Sequence, residues 1–172
     1  MNKVIANCSI GFLVVLVFSG FLVNQAMIIV PGQSVGPFDI NKTTYKQLIA
    51  SLGKAKLKKH SWLAPDCGKS YNYQKLEYLD RGLSFLFFSE DVRDGDSFGT
   101  IVITKPCNAA TNKGIAAGYS TRANITAAYG QPSDFEDKNK MEYDSLGITF
   151  EFVNDEFQTV DTLQSIYICK PK

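Results

Sequence analysis

The sequence predicts an α+β fold of two tandem repeats, each a helical element packed on an antiparallel β-meander. Three observations predict it. Residues 75–106 can be laid on residues 140–171 without a gap at a constant offset of 65, with 11 of 32 positions identical, among them Glu77/Glu142, Tyr78/Tyr143, Gly82/Gly147, Phe85/Phe150 and Phe87/Phe152. A fixed offset over such a length signals internal duplication. Within each copy, apolar residues alternate: Leu83, Phe85 and Phe87 in the first, Ile148, Phe150 and Phe152 in the second. Period two with one apolar face indicates a half-buried antiparallel strand. Each copy also follows a short segment of helical spacing that begins at a capping residue and ends at a glycine.

In chain order, the first element is a targeting segment. Lys3 precedes residues 10–23, an apolar run interrupted only by Gly11, Ser19 and Gly20. A basic head before such a run fits an export signal. Residues 1–26 are therefore expected to be a signal peptide, with Ala26 at the cleavage position, or an N-terminal membrane anchor if the apolar stretch continues through Met27–Val30. In both cases the body is exported, to the periplasm or the extracellular space, and membrane contact runs through this segment. Residues 27–37, with Pro31, Gly32, Ser34, Gly36 and Pro37, read as a linker.

The first repeat is expected over residues 38–107 and the second over 108–172. Asn41, Thr43 or Thr44 caps a helix carrying Tyr45, Leu48, Ile49 and Leu52, which Gly53 terminates. Its counterpart is capped by Ser120 or Thr121, carries Ile125 and Tyr129, and ends at Gly130. Here the offset is 77, so the first repeat holds twelve additional residues between helix and first strand, within residues 54–74. That insertion, expected as a long loop, carries Trp62, His60, Cys67, Lys54, Lys56, Lys58 and Lys59. Strands follow over residues 71–79 and 140–144, turns at Gly82 and Gly147, second strands from 83 and 148, acidic loops over 89–97 and 154–162, and third strands over 100–105 and 165–170.

Composition narrows the function. The chain has 18 basic and 17 acidic side chains, and without Lys3 the two balance. A neutral body lacks the electrostatic footprint of nucleic-acid binding. Export makes disulfides stable, and Cys67 with Cys107 is the favoured pair, Cys107 with Cys169 the rival. His60, Asp66 and Cys67 contain the side-chain types of a Cys-His nucleophilic site, but sequence proximity in a loop gives no geometry, and pairing is the ordinary fate of an exported cysteine. One histidine and scattered cysteines lack zinc spacing. Glu90, Asp91, Asp94 and Asp96 are oxygen-rich but do not follow the EF-hand pattern, so they read as a solvated hairpin loop with a turn at Asp94-Gly95. No catalytic, cofactor or metal site is assigned. Tyr71, Tyr73, Tyr78, Tyr143 and Tyr167 fall on strands beside Trp62, and such residues are enriched in protein interfaces because they bury area and keep a polar handle.

The pattern Thr44, Leu48, Leu52-Gly53 and Thr121, Ile125, Tyr129-Gly130-Gln131-Pro132, each followed by an aromatic strand and a Gly-turn hairpin, resembles the beta-lactamase inhibitor protein superfold, shared with the small lipoprotein of the outer-membrane barrel-assembly machinery. The resemblance spans residues 36–171 as two tandem copies. The first copy departs from it, since Gly53-Lys54-Ala55 stands in place of the Gly-x-Pro at residues 130–132. The resemblance implies a protein-binding, non-enzymatic role, with a sheet surface presented to the target. It assigns no inhibitory residue.

The expectation is an exported protein-binding module: an inhibitor, an immunity-type protein or an envelope-assembly factor. A structural membrane-associated role and a hydrolase using Cys67 are the competing classes. The expected docking residues are Lys58, Lys59, His60, Trp62, Tyr71 and Tyr73.

Overall fold

Sheet dominates the computed structural model, which describes residues 26–63, 70–133, 137–152 and 161–172, with only the backbone described at residues 62, 63, 70 and 71. Two short α-helices accompany two sheets, giving an α+β architecture. The larger sheet is antiparallel throughout. In spatial order its strands are β4 (Leu57–Leu63), β5 (Ser70–Tyr78), β6 (Leu83–Phe87), β7 (Thr100–Ile103), β11 (Leu163–Cys169), β10 (Ile148–Phe152) and β9 (Lys140–Tyr143).

One face of this sheet is the core face. Leu76, Tyr78, Phe85, Phe87, Ile101 and Ile103 bury there with Ile166, Ile168, Phe150, Phe152 and Tyr143. Each large apolar side chain so buried contributes about 1.5–3 kcal/mol. Helices α1 (Tyr45–Leu52) and α2 (Arg122–Tyr129) close this face through Leu48 and Ile125, both fully buried.

Both helices are eight residues long, too short to persist alone, so their ends matter. Thr44 and Thr121 are the N-caps. Each hydroxyl accepts from the backbone N–H three residues on, and Gln47 or Asn124 returns a side-chain oxygen to the cap N–H. Gly53 and Gly130 end the helices. Their carbonyls accept from the sheet: Tyr78 Oη donates to Gly53 O at 2.7 Å, and Tyr143 Oη to Gly130 O at 2.8 Å. Burial pushes both phenols above their ordinary pKa, which keeps them protonated donors.

Short 3₁₀ turns, Leu79–Arg81 and Asp144–Leu146, lead to Gly82 and Gly147, both left-handed. Glycine is required here twice over. Beyond the positive φ, a Cβ on Gly82 would stand 2.2 Å from the Thr104 carbonyl oxygen, and one on Gly147 would stand 2.2 Å from that of Cys169.

Two expectations are corrected. Residues 27–37 are not a linker. β1 (Met27–Val30), β2 (Ser34–Val35) and β3 (Phe38–Asp39) form a second sheet with β8 (Ala109–Thr111), in the order β3-β2-β1-β8, with β1 parallel to β8. Ile29 and Val35 are fully buried and Phe38 packs edge-on against Phe85 at 5.4 Å, so apolar burial draws this segment into the body. Met27–Val30 therefore belongs to a strand and does not prolong an apolar span. Residues 54–74 are likewise not a plain loop. β4 pairs residue for residue with β5, from Leu57↔Leu76 to Leu63↔Ser70, because backbone groups beside an open sheet edge are best satisfied by joining it. Residues 64–69, with Asp66 and Cys67, lie outside the described residues, as do residues 1–25. Among the described residues no helix is long and apolar enough to cross a membrane.

Candidate protein-docking face

Strand alternation sends every second side chain of the large sheet away from the core. Lys58 and His60 of β4, Tyr73, Lys75 and Glu77 of β5, and Ser84 and Leu86 of β6 share this outer face. It continues across Thr100 and Val102 of β7, Ser165 and Tyr167 of β11, and Thr149 and Glu151 of β10. Both helices and the second sheet lie on the core side, within the single buried cluster.

The middle of the outer face is low. Ser84, Thr100, Val102 and Ser165 are all buried although they point outward, because longer side chains on neighbouring strands stand around them. On one side the wall is aromatic. The His60 and Tyr73 rings stack at 5.2 Å and 12°, and Tyr73 lies 6.4 Å from Phe88. Phe88 is 62% exposed and rests on Gly99, where a Cβ would meet its ring at 2.9 Å. An exposed phenylalanine held in place over glycine presents apolar surface at little further entropic cost. His60 Nε2 is shielded from solvent and has no hydrogen-bond partner among the described residues. On the other side, Tyr167 Oη donates to Glu151 Oε2 at 2.8 Å. Burial, reinforced by the Glu151 carboxylate, raises the Tyr167 pKa well above that of a free phenol.

Charge on this part of the face gathers at Glu77. Glu77 takes Lys58 and, at 3.1 Å, Lys75. The Lys58 ammonium is the main cause of a lowered Glu77 pKa; burial opposes it, and Lys75 adds to the lowering.

Of the residues expected to dock a partner, Lys58, His60 and Tyr73 come together on this face. Lys59 points to the opposite side and meets Asp91 at 3.7 Å. Trp62 and Tyr71 are opposed across β4 and β5, but their side chains are outside what is described. Phe88 was not among the expected residues. The signal for it was present: in Phe87-Phe88 the first continues the buried alternation, so the second must face the other way.

Between the β4–β5 hairpin and the acidic loop, a cleft of about 320 Å³ is lined by Lys59, His60, Ser61, Asn72, Tyr73, Gln74, Ser89 and Glu90. Gln74 Nε2 donates to Glu90 O at 2.5 Å and holds the acidic loop against the hairpin. The same loop serves α1. The carbonyls of Asp96 and Asp94 accept from Tyr45 N and Lys46 N at 2.8 and 3.1 Å, and Asp96 Oδ2 accepts from Arg93 N at 2.8 Å. Among the described residues no three His, Cys, Asp or Glu side chains gather to hold a metal ion.

Cys107 and Cys169 are free thiols, so neither pairing expected for Cys107 is formed in this structure; Cys67, its favoured partner, lies outside the described residues. Cys107 is enclosed, and burial pushes its pKa up to about 11. Burial also raises that of Cys169. A thiol held protonated is a poor nucleophile.

No protein-family model, no curated protein and no solved structure matches this chain.

Proposed function

We propose that this chain is an exported protein-binding module of two pseudo-symmetric tandem repeats, with its outer sheet face as the docking surface. The single observation that carries the binding role is the aromatic wall His60–Tyr73–Phe88 beside a low, uncharged centre. Aromatic anchors around a desolvated patch are where binding energy concentrates.

Register supports the repeat reading. Lys75↔Leu86 and Tyr78↔Leu83 in one half correspond to Lys140↔Glu151 and Tyr143↔Ile148 in the other at the same offset of 65. At the junction, Ile166↔Ile103 becomes Ile101↔Ile168 when the halves are exchanged. Such a register fits a pseudo-twofold axis between β7 and β11. The role follows as inhibitor, immunity-type protein or envelope-assembly factor, the class that the resemblance implies.

The test is capture from envelope and secreted fractions with the wild-type chain and with Phe88→Ser. A saturable protein partner retained by wild type and lost by the variant supports the reading. Recovery of no saturable partner, or equal capture by both, sinks it.

A structural, membrane-associated role is the second reading, favoured by one observation. Ile28 and Val30 of β1 are exposed, and they lie a few residues after the apolar N-terminal run. Vesicle binding lost on Ile28→Asp would select it.

A further inference from the structure

Among the described residues the large sheet ends at β4, whose seven residues pair only with β5 and do so without a register shift. The other edge, β9, has four residues. An open edge strand offers a row of free backbone N–H and C=O groups, and proteins usually shorten, bend, cover or charge it. β4 is long and regular, so charge is its main guard.

That charge is out of balance. Lys58 stands on the outer face and Lys59 on the other, with Lys54 and Lys56 leading into the strand. Glu77 is shared between Lys58 and Lys75, leaving two ammonium groups against one carboxylate. Lys59 and Asp91 are 3.7 Å apart with side chains 74% and 83% exposed, a pair worth little in water. Lys54 and Lys56 have no acidic partner among the described residues. The edge thus carries an excess of positive charge on its outer face, while on the other face Lys59 stands beside Asp91 and Glu90 of the acidic loop. A second copy of β4 added in parallel would set lysine against lysine, which is unfavourable across a strand pair, and one added antiparallel with full overlap would set Lys58 and Lys59 against Trp62 and Ser61, which bring no opposite charge. A segment carrying carboxylates would do the reverse. It would also place a side chain opposite His60, whose shielded Nε2 is unpaired among the described residues.

We propose that β4 is a docking edge for an extended acidic segment of a partner protein, which adds as a further antiparallel strand with carboxylates beside Lys58 and Lys59. The proposal rests on the protein-binding reading and names the partner's chemistry. Backbone hydrogen bonds supply affinity in such strand addition, and the flanking side chains supply selectivity.

The experiment uses the full-length chain and hydrogen–deuterium exchange at β4. The probes are three blocked peptides as long as the strand: one of valines with two adjacent glutamates, which sets a carboxylate on each face, its fully N-methylated analogue, and one with lysines in place of the glutamates. The glutamate peptide should slow exchange of the β4 edge amides by roughly tenfold or more at saturation, and less as salt rises. The other two should leave them unchanged, and Lys59→Glu should shift the preference toward the lysine peptide. No protection of β4, or equal protection by the N-methylated or lysine peptide, overturns the proposal. The two readings fail separately. A partner lost with Phe88→Ser while β4 stays unprotected removes the edge and keeps the docking face. Protection of β4 by the glutamate peptide with no saturable cellular partner keeps the edge and removes the function.

Discussion

Val102 and Tyr167 face each other directly across the β7–β11 pair, and they are also 65 residues apart, the separation at which the two halves of the sequence coincide. A strand position and its own counterpart therefore meet at the centre of the sheet. Their side chains differ greatly in size, and both point to the outer face. Val102 is buried beside the larger Tyr167, whose hydroxyl turns to Glu151. Two positions matched at the sequence offset of 65 thus carry side chains of very different size on the outer face.

The tyrosine-to-glycine bonds tie each helix end to the sheet. Tyr78→Phe and Tyr143→Phe should each cost about 0.5–1.5 kcal/mol by leaving a helix-terminal carbonyl without its donor. The sites share no partner, so the double variant should be additive to within about 0.5 kcal/mol. Urea unfolding of the three variants measures both.

Gly82→Ala and Gly147→Ala should destabilise by about 2–4 kcal/mol each, combining a left-handed backbone with a Cβ forced onto a carbonyl oxygen. Gly53→Ala is the control. At φ 87° and ψ 176° its backbone is nearly confined to glycine, but nothing stands within 4 Å of the new methyl, so backbone strain alone, about 1–3 kcal/mol, is expected. A loss at Gly82 in thermal unfolding no larger than the ~1–2 kcal/mol that a left-handed backbone costs would show that the carbonyl contact contributes nothing.

Acid should weaken the hairpin through Glu77. Its pKa is lowered in the folded chain, so the folded state holds fewer protons than the unfolded state in the window between the two values. The stabilisation is complete above the ordinary glutamate range and is lost as pH falls through the lowered folded value. For a partly exposed cluster this is about 0.5–1 kcal/mol. The loss on acidification should be smaller in Glu77→Gln than in wild type, compared by urea unfolding across that window.

Thiol labelling separates a binding protein from a hydrolase. Cys107, with its pKa near 11, should resist an aromatic disulfide reagent at pH 8 until the chain is unfolded, and burial should slow Cys169 as well. A rapid native reaction that peptide mapping assigns to Cys67 would favour the hydrolase. Slow labelling at every site removes it.

Much of the fold was legible because its signals are local. Helix starts were legible to within a few residues, at Asn41, Thr43 or Thr44 and at Ser120 or Thr121, of which Thr44 and Thr121 form the caps, and Gly53 and Gly130 announced the ends. Alternation at residues 83–87 and 148–152 assigned the core face correctly. The second sheet was not legible. β2 and β3 have two residues each, too few for a period to register, and β1 finds β8 through Met27↔Ala109, far away in the chain. β4 was missed for a different reason. Leu-Lys-Lys-His-Ser-Trp-Leu lacks an apolar alternation, because an edge strand at the margin of the core has no fully buried face. Lys59 faces the side of β4 opposite Lys58 and His60, since only register decides the direction of a side chain.

By itself the sequence determined the short-range features: where chain direction changes, which residues cap, and which strand positions are apolar enough to bury. Steric limits on φ, and the alternation of strands, act within a few residues and so leave a readable mark. Tertiary structure decided which strands became neighbours, and therefore that His60, Tyr73 and Phe88 form one wall and that β4 is left as an open edge. Those are contacts between distant residues. They are selected by the burial of a whole sheet face, and no single stretch of the chain carries that information.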